Sequence, residues 1–226
     1  MDASQERFNQ VVERIQRAAR RSGRDPQKIA LVAVSKLVPF DRLAPFIHAG
    51  VRTLGENRVQ EAIAKFGEGQ AKTLHPDIQL HFIGRLQGNK ARKAAALFDM
   101  VQSLDSADLA EDLNRHAREL KRPMPCLVEV KISSEAAKTG LPPEELSDFL
   151  ARAAGWPFLT IKGLMGIAPQ TDTPERARPF FAKLRRLFED AKLDVLSMGM
   201  SGDFEAAIEE GSTMVRLGTA LFGARA

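Results

Sequence analysis

The chain has 226 residues, 44% of them hydrophobic, enough for a sizeable buried core in one large α/β domain or two small ones. Its net charge of +4 and pI near 9.4 suit anionic ligands, phosphates included, and equally suit an ordinary solvated surface. The single cysteine, Cys126, sits in an apolar run and leaves no framework for an intrachain disulfide or a zinc site, while the absence of a basic-then-apolar leader and of membrane-length apolar runs predicts a cytoplasmic protein without a membrane partner.

The first element is an amphipathic helix, with Phe8, Val11, Val12, Ile15, Ala18 and Ala19 at helical spacing and Arg and Gln on the other side. From Ile29 onward strand-like and helix-like stretches alternate. The strands are expected at Ala30–Ser35, Arg52–Gly55, Gln79–Gly84, Met100–Leu104, Cys126–Ile132, Thr160–Gly166, Asp194–Met198 and Met214–Gly218. Between them, Asp41, Asn57 and Asn89 are candidate N-caps, and Gly155 and Gly211 candidate residues just past helix ends. Pro179 forfeits an internal hydrogen bond in the helix of residues 174–191 and predicts a late start or a kink there. Runs such as Ala30-Leu31-Val32-Ala33-Val34 are apolar on consecutive residues, as in a parallel sheet buried on both faces. Eight βα units of this kind predict a single (β/α)8 barrel with an extra N-terminal helix and no second domain.

In such a barrel the active site forms at the C-terminal ends of the strands, and phosphate is commonly held by the loops after strands 7 and 8. Strand 1 ends in Ser35-Lys36. A lysine there is ordinarily a surface residue, but at a barrel mouth it can be partly desolvated, which frees its amine for Schiff-base formation. It is the one lysine expected at a strand end with a phosphate cradle across the mouth. That cradle is Gly199, Ser201 and Gly202 after strand 7 with Gly218 and Thr219 after strand 8, whose backbone N–H groups and hydroxyls could hold an anion; two ordinary glycine turns would look the same. Arg216 lies in the apolar strand Met214-Val215-Arg216-Leu217, where an unpaired guanidinium is costly, so it requires an anionic or hydrogen-bonding partner.

Val34-Ser35-Lys36, Gly55-Glu56-Asn57-Arg58-Val59-Gln60-Glu61, the run His81 to Lys90, and the long run Leu196 to Gly223 resemble the pyridoxal phosphate homeostasis proteins, the YggS/PROSC-like family, in order from about Ile29 to the C-terminus. The resemblance implies a barrel similar to that of alanine racemases and pyridoxal 5'-phosphate (PLP) as cofactor. It makes Lys36 the Schiff-base lysine, Ser201, Gly218 and Thr219 phosphate ligands, and Arg216 the residue facing the pyridine nitrogen; Asn57, His81 and Met198 would complete the cofactor's surroundings. Arg58, Arg85 and Gly88 depart from the usual pattern, in loops at the rim.

The chain contains no tyrosine and ends after strand 8, so it is expected to lack the tyrosine base and second domain of a similar racemase. An arginine at the pyridine nitrogen also disfavours protonation there and weakens the electron sink. The leading expectation is therefore a monomeric, non-catalytic protein that buffers PLP or delivers it to apo-enzymes. A PLP-dependent amino-acid racemase with a one-sided base is the second reading. A nucleic-acid binder is the third, suggested by Arg14, Arg17, Arg20, Arg21, Arg24, Lys90, Arg92 and Lys93; these charges lack interleaved aromatics and fit a solvated helix face better.

Overall fold

The computed structural model describes residues 2–67, 73–133 and 139–223. Strands β1 (Ala30–Val34), β2 (Thr53–Glu56), β3 (Gln79–Phe82), β4 (Met100–Leu104), β5 (Met124–Glu129), β6 (Leu159–Met165), β7 (Val195–Ser197) and β8 (Met214–Leu217) pair in parallel and in sequence order, and β8 returns to β1 to close the barrel. The closing seam sets Val32 opposite Arg216 and Ala33 opposite Leu217.

Among the described residues, the helices are α1 (Ala3–Arg21), α2 (Ala44–Ala49), α3 (Val59–Phe66), α4 (Ala91–Leu97), α5 (Ala107–Glu119), α6 (Leu146–Arg152), α7 (Arg178–Ala191), α8 (Phe204–Glu209) and α9 (Thr219–Phe222). The predicted amphipathic stripe of α1 is the face it buries, through Val11, Ile15, Ala18 and Ala19. It packs on α2, α8 and α9. Because α9 is only four residues long, it covers little of the β8–β1 seam, and α1 supplies the missing apolar cover. Much of the basic character of α1 is spent on this docking: Arg14 pairs with Glu205 at 3.0 Å, Arg21 with Glu209 at 2.7 Å, and Arg24 donates to the carbonyls of Ile208 and Ser212.

The apolar residues form two layers. A large outer one lies between strands and helices, and a small inner one of Val32, Leu127, Met165 and Met214 plugs the barrel. Three strands then step from an apolar inward residue to a polar one two positions nearer the mouth: Met100 to Gln102, Val195 to Ser197, and Met214 to Arg216. The floor is greasy and the storey above it polar.

The strands lie where the apolar runs predict, with shifted ends. The clearest shift is in β5, which runs from Met124 to Glu129, with the Val130 N–H still donating to the Met165 carbonyl of β6. Val130–Ile132, expected to continue it, runs instead beside Leu141, with Lys131 donating to the Leu141 carbonyl and Leu141 to that of Glu129. The expected caps differ more. Asp41 and Asn89 lie inside short 3-10 turns preceding their helices, and Arg58 rather than Asn57 holds the N-cap of α3. Gly155 closes a 3-10 turn without a positive φ, whereas Gly211, at φ +106°, does end α8 in the manner expected. Pro179 lies in the first turn of α7, whose start is delayed to Arg178 by a 3-10 turn over Pro174–Ala177. No described helix is long and apolar enough to cross a membrane.

Candidate cofactor site

At the end of β1 the chain makes a tight turn. Ser35 donates its N–H to the Gly55 carbonyl, Val38 donates back to the Ser35 carbonyl, and Leu37 between them takes φ +62°. Half-buried Lys36 lines an open cleft of about 560 Å³, together with Arg42, Met200, Ser201, Arg216 and Thr219.

Across the cleft two loops are stitched together by one hydroxyl. Ser201 Oγ accepts hydrogen bonds from the N–H groups of Gly218 and Ala220, both at 3.2 Å. Its own proton remains available, as do the N–H groups of Gly202 and Thr219, which have no acceptor among the described residues. Glycine is needed at 199, where φ is +96° and a Cβ would lie 2.6 Å from that of Ala207. At Gly202 a Cβ would meet nothing within 4 Å, so the mouth is open on that side.

Arg216 forms the floor at 4% exposure. It donates to Ser197 Oγ at 2.6 Å and to the Gly166 carbonyl at 3.0 Å, the partners its apolar strand required. Burial pulls the guanidinium down to about 10, offset by the carboxylates of Glu129 and Asp203, so it stays charged at neutral pH. A chain of bonds runs onward from it: Ser197 Oγ to Gln102 Oε1 at 2.8 Å, and Gln102 Nε2 to His81 Nδ1 at 2.9 Å. Arginine can only donate, so Ser197 must pass its proton to the Gln102 oxygen. The amide nitrogen then faces His81, and the neutral ring carries its proton on Nε2. The ring is neutral because burial lowers its pKa from 6.5 to about 4, against a smaller opposing effect of Asp99.

The structure therefore gathers Lys36, Ser201, Arg216, Gly218 and Thr219 around one cleft. His81 lies beneath it, coupled to Arg216 through Gln102 and Ser197. Met198 is fully buried in the outer apolar layer, and half-buried Asn57 stands at the β2 end, its backbone packed against Gly84. Of the rim residues, Arg58 and Arg85 are exposed, and a Cβ at Gly88 would meet Asp112 Oδ2 at 2.5 Å. Sequence reasoning passed over Ser197 and Gln102, although Gln102 in Met100-Val101-Gln102-Ser103-Leu104 breaks an apolar strand just as Arg216 does. It also passed over Leu37 and Met200, which are 62% and 41% exposed and flank the cleft; nothing in the sequence marks them. Among the described residues no group of three or more His, Cys, Asp or Glu side chains is placed to hold a metal ion.

An amine facing hydroxyl and N–H donors across a cleft floored by a fixed cation suits a small aromatic phosphate bearing an aldehyde, so the residues fit PLP. Residues 5–226 match the family "Alanine racemase, N-terminal domain", the class that this barrel and its mouth define. The pyridoxal phosphate homeostasis protein of Aquifex aeolicus (strain VF5) is 41% identical over 226 residues, 97% of either chain. That of Escherichia coli (strain K12) is 42% identical over 223 residues, 96% of this chain and 94% of the other. The chain belongs to the pyridoxal phosphate homeostasis protein family. The solved structure of PipY from Synechococcus elongatus PCC7942, with PLP bound, is 40% identical, covers 94% of this chain and 100% of its own, and superimposes with a TM-score of 0.82. An alanine racemase from Clostridium difficile 630 shares the fold alone, at 14% identity and a TM-score of 0.70, over 97% of this chain and 57% of the racemase.

Proposed function

We propose that this chain binds PLP in the Lys36 cleft and buffers it or passes it to apo-enzymes, with no appreciable turnover of its own. The observation that carries the reading is the convergence of Lys36, Arg216 and the Ser201-stitched loops on one cleft, in a chain whose relatives bear the homeostasis name. When bound, PLP supplies an aldehyde that condenses with an amine, with loss of water, and a ring that withdraws electrons.

The chain's residues divide the remaining work. Lys36 presents the amine, while Ser201, Thr219 and the N–H groups of Gly202 and Thr219 hold the phosphate. Arg216 offers a fixed donor to the ring nitrogen. Being a cation, it opposes protonation of that nitrogen and so weakens the ring's pull on electrons. His81, buried and spent on Gln102, orients Arg216 rather than moving protons to a substrate, and Met198 supports the loop from behind. Asn57 stands at the cofactor's edge. The chain has no tyrosine, and among the described residues the cleft lining offers no carboxylate or imidazole to face Lys36 as a base. The working unit in this reading is a monomer.

The test is to mix loaded protein with a PLP-dependent apo-enzyme while following Cα-proton exchange of alanine in deuterium oxide. Recovery of the apo-enzyme without exchange is expected. Rapid exchange that disappears in Lys36→Ala would make the protein a racemase-like enzyme instead.

A further inference from the structure

Behind the Lys36 turn, on the outer side of the barrel, lies a charged cluster that ligand contact does not explain. Lys65 of α3 is 9% exposed at its side chain, and its ammonium donates to the Ser35 carbonyl at 2.8 Å, to Glu56 Oε1 at 2.8 Å and to Glu61 Oε1 at 3.4 Å. All three of its protons are used. Glu61, one turn earlier on α3, accepts the Leu37 N–H at 2.6 Å. Glu56 Oε1 also accepts from Ser35 Oγ at 2.7 Å, while Glu56 Oε2 is buried without a partner, and burial raises the pKa of that carboxyl.

A buried ion pair that merely ties a helix to a sheet is the ordinary reading, and such pairs contribute little net stability. What distinguishes this one is which backbone atoms it grips. The Ser35 carbonyl belongs to the peptide group before the Lys36 Cα, and the Leu37 N–H to the peptide group after it. Both planes that set φ and ψ of Lys36 are thus held by α3, and with them the direction of its Cα–Cβ bond. The left-handed Leu37, unusual for a residue with a side chain, lies inside the same grip.

We infer that Lys65 and Glu61 are positioning residues that clamp the backbone on either side of Lys36 and so aim its amine across the cleft. This rests on Lys36 being the residue that PLP modifies. The clamp predicts two effects, one of which needs no cofactor. In the cofactor-free protein the Leu37 amide should exchange slowly with solvent despite the exposure of its side chain; Glu61→Ala should speed it by about tenfold or more, and Glu61→Gln, which keeps an acceptor oxygen, should restore most of the protection. In the second, Glu61→Ala and Lys65→Met should keep their affinity for pyridoxine 5'-phosphate, which carries the phosphate but no aldehyde, within about twofold. Their borohydride-trapped label on Lys36 at limiting PLP should drop several-fold, with Glu61→Gln again close to wild type. Should Lys65→Met fail to fold, the Glu61 pair, at a partly exposed position, decides alone. A wild-type label on another lysine would overturn the Lys36 reading and this inference with it. A label on Lys36 that is indifferent to Glu61→Ala would overturn the clamp only.

Discussion

His81 shows how far burial governs the chemistry of a single residue. Its usual pKa of 6.5 falls to about 4 in the fold, so as pH drops through 6.5 the unfolded chain takes up a proton that the folded one refuses. Stability is then fully present above 6.5 and is lost between 6.5 and 4, by roughly 3 kcal/mol at most. Glu56 and Glu129 have the opposite sign, because burial raises their pKa values and they gain stability as pH falls. The difference between wild type and His81→Gln isolates the histidine: in urea denaturation series from pH 7 to 4, wild type should lose stability faster, and parallel curves would mean that the ring titrates alike in the folded and unfolded chain. Thr219 is exposed at the mouth, so its hydroxyl can matter to a ligand without mattering to the fold. Thr219→Val removes one donor to a charged acceptor, worth about 1.5–3 kcal/mol. PLP affinity should fall at least about tenfold by fluorescence titration while the cofactor-free melting temperature holds; unchanged affinity would put the phosphate elsewhere.

At the scale of elements, the close approach of β7 to β6 depends on Gly163. Pairing between β5 and β6 slips a residue, Cys126 facing Ile161 and Leu127 facing Gly163, so Lys162 is extruded as a bulge. Beside that bulge a Cβ on Gly163 would lie 1.7 Å from the Val195 carbonyl oxygen of β7, a backbone atom that cannot step aside. Gly163→Ala should therefore destabilise by about 3 kcal/mol or more, whereas alanine at Gly202, where the space is open, should cost far less; equal melting temperatures would contradict the described packing. The same contrast marks what could be read from sequence. Consecutive apolar residues in Ala30–Val34 announce a strand buried on both faces, and Arg216 in an apolar strand announces a need for partners, because each burial penalty is large and local. Asp41, Asn57 and Asn89 misled because a capping side chain is recognised by type, whereas the chain's entry into a helix is set by tertiary packing, here through 3-10 turns and Arg58. The clamp on Lys36 joins residues 24 and 30 positions apart in bonds that no periodicity records.

For the whole molecule, the barrel separates support from chemistry. Helices and outer core hold eight strands, the inner apolar plug seals the bottom, and the polar storey of His81, Gln102, Ser197 and Arg216 carries the cleft above it. Borohydride reduction of the loaded protein followed by peptide mapping asks whether this mouth holds PLP on Lys36. The pyridoxyl group should be found on Lys36, with Lys36→Ala keeping weak phosphate-dependent binding but taking no label. A label found chiefly on Lys90, or on Lys138, which lies outside the described residues, would show that Lys36 is not the attachment point.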